Sequence, residues 1–236
     1  MDASREHTWP PHSALAGLDE KDVEYLLTLG RPVDHPQQST LMRLGERTSH
    51  VLVILEGHVK VTTVSRTGKT VLLALRSRGD LVGELAVMDE SPRMATVETA
   101  GPVSSRVLSA REFRTFLERS PEAALTISAS IAAKLRSATE RILDYSTHDA
   151  RTRLARVLMR LIRDHGVTSD EGIELDIRVS QPELASITSL SEAALYKGLA
   201  DLRHRGIVTT GYRRFTVTDV PALAETAGFP PRTPHS

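Results

Sequence analysis

Gly79-Asp80-Leu81-Val82-Gly83-Glu84-Leu85, followed by Pro92-Arg93-Met94-Ala95, is the stretch on which the reading of this chain turns. Its glycines let backbone come close to a ligand, and the amides that follow Gly83 can point at an anion. Arg93 can meet the same anion with two parallel N–H groups. Glu84 can accept hydrogen bonds from sugar hydroxyls. Together these side chains suit a phosphorylated sugar ring. A Glu84–Arg93 ion pair inside the protein accounts for the same residues, and both readings stand at this point.

Around this stretch the pattern is that of short strands. β-branched runs at 51–55, 59–64, 71–75, 96–99 and 105–108 are separated by Leu44-Gly45-Glu46, Glu56-Gly57-His58, Thr67-Gly68-Lys69 and Arg78-Gly79-Asp80. Such spacing predicts a sandwich, roll or barrel. Before it, Leu15, Leu18, Val23, Leu26 and Leu27 recur at helical spacing until Gly30-Arg31-Pro32. The first dozen residues lack periodicity and read as a loose arm. A short helix over 111–117 closes the strand-rich part.

Ser120-Pro121-Glu122 is a helix start, with Ser as N-cap, Pro in the first turn and an acid near the positive end of the dipole. No breaker follows until Gly166. Ala124, Ser128, Ile131, Leu135, Ala138, Ile142 and Tyr145 recur at spacings of four and three, a heptad-like seam. The seam suits a dimerising helix; a helix packed on its own domain is the alternative. Asp149 caps the next helix, with Leu154, Leu158, Leu161 and Ile162 on its apolar face, and 164–172 reads as a polar loop. Helices over 181–187 and 191–205 meet at Thr188-Ser189-Leu190, with Leu184, Ile187, Leu190, Leu195, Leu199 and Leu202 inside. Strands at 207–210 and 214–218 form a hairpin around Gly211-Tyr212-Arg213. The expected division is 1–119, 120–146, 147–220 and a tail over 221–236.

Ser191 is a good N-cap, and the polar residues after it would enter a major groove. Arg203, His204, Arg205, Arg213 and Arg214 form a basic cluster suited to phosphates. An ordinary helical subdomain with a solvated charged face is the alternative.

Composition narrows the classes. Lys+Arg and Asp+Glu both count 30, so any DNA binding must rest on local charge placement. The absence of cysteine excludes disulfides, Cys-ligated zinc and Cys-held iron–sulfur clusters. Aromatics at 4% argue against stacking-based single-strand or RNA binding. No apolar run approaches the ~20 residues of a membrane span, and the N-terminus lacks a signal-peptide layout, so a cytoplasmic chain with no membrane partner is expected. No catalytic dyad, metal cluster or Walker loop marks an enzyme; a cupin-like metal roll needs histidines clustered on neighbouring strands, and these are missing.

In this order the parts resemble the Crp/Fnr family of bacterial regulators over about residues 15–217. Leu41-Met-Arg-Leu-Gly-Glu-Arg47, Val53-Ile-Leu-Glu-Gly-His-Val-Lys-Val61 and Gly79–Leu85 are similar to its β-roll signature. The stretch 120–145 is similar to its dimer helix, and Val179-Ser-Gln-Pro-Glu-Leu-Ala185 onward to its helix-turn-helix. The resemblance implies an α+β chain: an N-terminal β-roll (jelly roll) of the cyclic-nucleotide-binding type, a long dimerisation helix and a C-terminal winged helix-turn-helix. It implies double-stranded DNA, a second copy of the chain and RNA polymerase as partners. The DNA contacts would fall to Ser180, Gln181, Ser191, Glu192, Ala193, Lys197, Arg203, Arg213 and Arg214.

For the effector, the resemblance places Glu84 on a ribose hydroxyl and Arg93 on a cyclic phosphate, assisted by Gly83, Leu85 and Ala95. Met94 stands where a phosphate-donating Ser or Thr is usual, and the base-reading pair falls on Ala138 and Thr139. Each missing partner costs about 1–2 kcal/mol, which predicts cyclic AMP binding weakened by about 30- to 1000-fold. Three readings of the roll follow: it senses cyclic AMP weakly, it senses another effector such as a different nucleotide, or it has lost its ligand. A haem sensor held by His, with no Cys needed, is an outlier; His50 and His58 read as surface or turn residues. The rival from another class is a ligand-binding regulatory module whose helical tail docks a protein.

Overall fold

The computed structural model describes residues 9–211 and 214–229. The chain divides after Arg136 into two units. In the first, a 3-10 turn at Leu15–Gly17 and helix α1 (Glu20–Thr28) lead into eight strands. These are β1 (Arg31–His35), β2 (Thr40–Met42), β3 (His50–Glu56), β4 (Val59–Val64), β5 (Thr70–Arg76), β6 (Leu81–Val82), β7 (Thr96–Thr99) and β8 (Val103–Ser109). Helix α2 (Glu84–Met88) interrupts them, α3 (Ala110–Arg119) follows them, and α4 (Pro121–Thr147) begins in this unit.

The strands form two antiparallel sheets, ordered β1-β8-β3-β6 and β2-β7-β4-β5. Strand β3 shows why two layers of core exist. Val51 and Val53 join Phe113, Phe116, Leu26, Ala123 and Ile127 in a helix-facing cluster. Leu52 and Ile54, pointing the other way by strand alternation, join Met42, Val59, Val82, Val97 and Val103 between the sheets. Because β3 is buried on both faces, its sequence reads as a continuous apolar run. The roll expected from the sequence is present.

Several local expectations give way. The arm is not loose from Trp9 on: Arg78 lies 4.8 Å over the Trp9 ring, and Leu15 N–H donates to Gly79 O at 3.0 Å. Strands β1 and β2 were hidden because their residues are mostly half-exposed or exposed, without clear alternation. Residues 1–8 lie outside the described residues.

The second unit holds the end of α4, α5 (Ala150–His165), β9 (Gly166–Ser169), β10 (Gly172–Leu175), α6 (Gln181–Thr188), α7 (Glu192–His204), β11 (Val208–Gly211), β12 (Arg214–Val217) and α8 (Val220–Thr226). Its sheet is ordered β11-β12-β10-β9. The expected polar loop over 164–172 is instead the last residues of α5 followed by β9 and the turn of the β9–β10 hairpin. Its β9 residues are all exposed, so no hydrophobic alternation announced it. The expected tail contains α8, which is capped by Asp219 and starts with a Pro in its first turn. Leu223 and Ala227 are fully buried there. The Asp-x-Pro start was a legible signal.

The expected seam on α4 is only partly exposed, since one of its members is used within the first unit. Ile131 packs against the helix-facing core of the first unit. Leu125 and Leu135 in that unit are 71% and 67% exposed, and Ile142 in the second unit is 69% exposed. Leu135 of the expected seam is therefore exposed while Ile131, one turn earlier, packs on its own unit; in the second unit Ile142 and Tyr145 of the seam are exposed.

Candidate functional site

Two places draw together the residues singled out above. The first is the loop from Gly79 into α2. Gly83 has φ +88°, and a Cβ there would meet Met42 Cε at 2.5 Å, Arg93 Nη1 at 2.6 Å and the His50 carbonyl oxygen at 2.8 Å. A glycine is needed on both counts. It lets α2 start immediately, with Glu84 in its first turn and only 3% exposed. Asp80, also buried, accepts from Ser77 N–H at 3.0 Å, and burial pushes its carboxyl above the usual carboxylate range.

Arg93 is 3% exposed and well anchored. Its backbone bonds to the loop between β2 and β3 at both ends: Arg93 N–H donates to Glu46 O, and Gly45 N–H donates to Arg93 O, each at 2.8 Å. The guanidinium donates to Thr48 Oγ1 at 3.0 Å, Gly83 O at 2.8 Å, and His50 O at 2.7 Å. Glu84 pairs with Lys134 of α4, Nζ to Oε1 at 2.8 Å. The Glu84–Arg93 ion pair is thus replaced by a separate partner for each. Lys134 went unnoticed in the sequence because one lysine on a long polar helix carries no signal of where it reaches.

Of the other cassette residues, Ala95 is buried, Leu85 is half-buried and Met94 is 64% exposed. Ala138 and Thr139 belong to the second unit, the former half-buried and the latter exposed. The residues present fit a phosphate-and-sugar ligand in kind, since a buried cation and a buried carboxylate flank one glycine turn. They fit less well in detail: four N–H groups of Arg93 are engaged within the fold, and Met94 has no donor. Among the described residues no group of three potential metal ligands occurs.

The second place is the helix-turn-helix. Ser180 caps α6 in a capping box with Glu183, its Oγ donating to Glu183 Oε2 at 2.8 Å, so that hydroxyl is already in use. Helix α6 ends at Ser189 with φ 53° and ψ 38°, and Leu190 N–H closes the end on Ala185 O at 2.9 Å. A serine in this left-handed conformation costs of order 1 kcal/mol relative to glycine. Ser191 caps α7, its Oγ accepting from Ala194 N–H at 3.2 Å.

Leu195, Leu199 and Leu202 bury one side of α7. Gly198 lets that side approach α5, since a Cβ there would meet Leu154 Cδ2 at 2.8 Å. Ala193, Tyr196, Lys197 and Ala200 are exposed away from them, and Glu192 is exposed in the first turn. Tyr196, 52% exposed, is a groove-facing candidate that the sequence reading missed; an aromatic at helical spacing was indistinguishable from core. Gln181 is exposed at the start of α6. Arg203 reaches Thr210 Oγ1 of β11 at 3.1 Å, and Arg214 lies 3.3 Å from Glu174 Oε1 of β10. Both are exposed, so these contacts are weak and can be exchanged for phosphates. Arg213 lies outside the described residues.

The comparisons follow the same order. The family model for the cyclic nucleotide-binding domain matches residues 32–120, and that for the Crp-like helix-turn-helix domain matches residues 152–226. The chain is 25% identical over 211 residues to a CRP-like cAMP-activated global transcriptional regulator of Mycobacterium tuberculosis, covering 89% of this chain and 94% of that one. It is 25% identical over 189 residues to the cAMP-activated global transcriptional regulator CRP of Escherichia coli, covering 79% and 89%. A CRP-family transcriptional regulator from Thermus thermophilus superposes with a TM-score of 0.69 at 25% identity, over 85% of this chain and 98% of that one. The c-di-GMP-responsive global regulator CLP of Xanthomonas campestris shares the fold, with a TM-score of 0.72 at 18% identity over 85% and 100%. A nucleotide-binding roll and a winged helix-turn-helix, matched in that order along one chain, identify it as a DNA-binding transcription regulator of the Crp/Fnr family and not an enzyme.

Proposed function

We propose that the chain is a cytoplasmic homodimer that binds a roughly palindromic duplex DNA site through α7 and touches RNA polymerase there. Its roll senses a small effector, cyclic AMP or another nucleotide. The observation that carries this is α7: one face is buried by three leucines, the other offers Ala193, Tyr196 and Lys197 to solvent, and Glu192 is exposed in the first turn behind a capped N-terminus. That is the arrangement a major groove accepts. Leu135, Ile142 and Tyr145, exposed members of the heptad-like seam on α4, suit contact with a second copy. Relatives named for cyclic AMP and one named for c-di-GMP share this architecture, so the architecture alone does not choose the nucleotide.

Selection from a random duplex library, with and without cyclic AMP, tests the reading. Enrichment of a two-fold symmetric site supports it; no enrichment under either condition sinks it. A second reading, a ligand-independent regulator, is favoured by the internal partners of Arg93 and Glu84. In that case the same site is enriched equally without nucleotide.

A further inference from the structure

Strand β1 turns a cation towards the interior of the roll. It lies at the edge of its sheet and pairs with β8, Arg31 opposite Val107, Val33 opposite Ser105 and His35 opposite Val103. Residues directly opposed across two strands share a face. Val103 belongs to the core between the sheets, and Val107 packs against that core. Arg31, Val33 and His35 therefore face inward, and Pro32 and Asp34 face outward. Strand β2, the edge of the other sheet, is only three residues long and contributes Leu41. An open cavity of about 690 Å³ is lined by residues of both edge strands.

The lining separates into an apolar floor and a few polar groups. Leu52 is buried, and Val33, Leu41 and Val107 are half-buried beside it. Glu112 is the one carboxylate among the described lining residues, and it is fully engaged. Its Oε1 accepts from Gly30 N–H at 3.0 Å, and its Oε2 accepts from Ser109 N–H at 2.8 Å and Ser109 Oγ at 2.7 Å. Arg31 is exposed at the rim and has no ion pair among the described residues. His35 is held to Ser105 Oγ at 2.9 Å. Burial keeps His35 below the ordinary imidazole range, with Asp34 pulling the other way and Arg31 adding to the burial. Near pH 7 that ring is neutral, which leaves Arg31 as the cation of the cavity. The exposed Ser49 adds a hydroxyl to the lining.

We propose that this cavity between the edge strands is a ligand site distinct from the glycine turn before α2, and that it takes a small monocarboxylate with an apolar body. The carboxylate pairs with Arg31 through two parallel N–H groups, and the Ser49 hydroxyl can donate a further bond. The hydrocarbon part covers Val33, Leu41, Leu52 and Val107, which water otherwise meets. One available cation calls for one negative charge. A phosphate dianion is poorly served, because the Gly30 amide is already taken by Glu112. The volume falls in the range of about 300–1,000 Å³ that small-molecule pockets occupy. None of Gly83, Glu84 and Arg93 lines the cavity, so the inference stands apart from the nucleotide-sensing reading. An inward charge on an edge strand can instead guard that edge against pairing with another chain, and that role predicts no ligand.

Methyl NMR of the full-length chain, titrated with phenylacetate, hexanoate and the uncharged phenylacetamide, tests this. Both acids should give saturable shifts at the Val33, Leu41 and Val107 methyls, and the amide should bind at least about tenfold more weakly than phenylacetate. R31Q should weaken both acids by about tenfold or more, with the amide and the melting temperature unchanged. A merely structural role for Arg31 would not separate acid from amide. V33W fills the cavity and should abolish binding of all three; should it misfold, the comparison of acid with amide on the native chain still decides. An excess of cyclic AMP should leave the acid-induced shifts in place. Displacement by cyclic AMP puts the acids in the nucleotide site and overturns the proposal. Equal affinity for acid and amide, or no saturable shift from either acid, overturns it too. Absence of binding together with self-association of R31Q would assign Arg31 to edge protection instead.

Discussion

Lys134 Nζ lies 2.8 Å from Glu84 Oε1 and also donates to the Leu81 carbonyl at 3.0 Å, so a lysine of α4 supplies the counter-charge for a carboxylate that opens α2. Glu84 is almost wholly buried, with a side chain 4% exposed against 21% for Lys134. Removing one partner of such a pair leaves the other charge buried without compensation. K134M should therefore destabilise the first unit by about 3 kcal/mol. The double change K134M/E84L should recover most of that loss, because both charges are then gone. Urea denaturation of the four forms of the cycle checks this. Equal losses for the single and double variants would show that the pair contributes through packing alone.

Asp144 of α4 is a second buried charge, 5% exposed, and it is surrounded by basic side chains of its own unit. Arg156 Nε approaches its Oδ1 at 2.7 Å, Arg160 Nη1 its Oδ2 at 2.9 Å, and His148 Nε2 its Oδ1 at 3.9 Å. Neutralising Asp144 leaves two largely buried guanidinium groups facing each other. D144N should cost about 3 kcal/mol or more, and addition of R160M should return part of it. Thermal melts of the single and double variants decide the matter, with no recovery in the double variant counting against the account.

How much of this was legible in the sequence depends on how each residue signals. The β3 run and the turns around Gly57 and Gly79 announced the roll, because strand cores and positive-φ glycines leave strong local patterns. The caps Asp149 and Ser191 marked their helices for the same reason. The β9–β10 hairpin did not announce itself, since exposed two-stranded ribbons need no alternation. The cassette residues were found by type, but their partners were not. Lys134 lies 50 residues from Glu84 along the chain, and His50 lies 43 from Arg93. Pairings at that separation are set by the fold, and no short motif encodes them.

The α4 seam shows the same limit and yields a sharper test than the sequence alone allowed. A helix that serves its own domain and a partner carries two apolar faces, and heptad counting merges them. Ile131 faces the first unit's core, whereas Leu135 is 67% exposed. L135K should convert the dimer to monomer, since a charge buried at each of two symmetric contacts costs about 3 kcal/mol or more per site. I131A should leave the dimer intact and lower the melting temperature. Analytical ultracentrifugation with melting curves separates the two. A dimer unchanged in L135K would remove Leu135 from the interface.

Exposure on α7 sorts the basic and polar residues into two classes with different consequences. Glu192 and Lys197 are exposed on α7, and in the proposed docking a groove would present base edges to them: Glu can accept from cytosine N4 and Lys can donate to guanine. Tyr196 lies between them and can meet a thymine methyl. Changing Lys197 or Glu192 to Ala should cost about 1–3 kcal/mol of discrimination at one base pair in each half-site, with other positions unaffected. Arg203 and Arg214 sit at the far end of α7 and on the wing, and their contacts to Thr210 and Glu174 are exposed and exchangeable. R203A and R214A should weaken all sites alike and reduce the salt slope by about 1 per lost phosphate contact. Binding to a panel of single-base variants of the selected site, at two salt concentrations, distinguishes these outcomes. If E192A and K197A leave the ranking of the panel as it was, α7 does not read bases and the proposed docking mode is wrong.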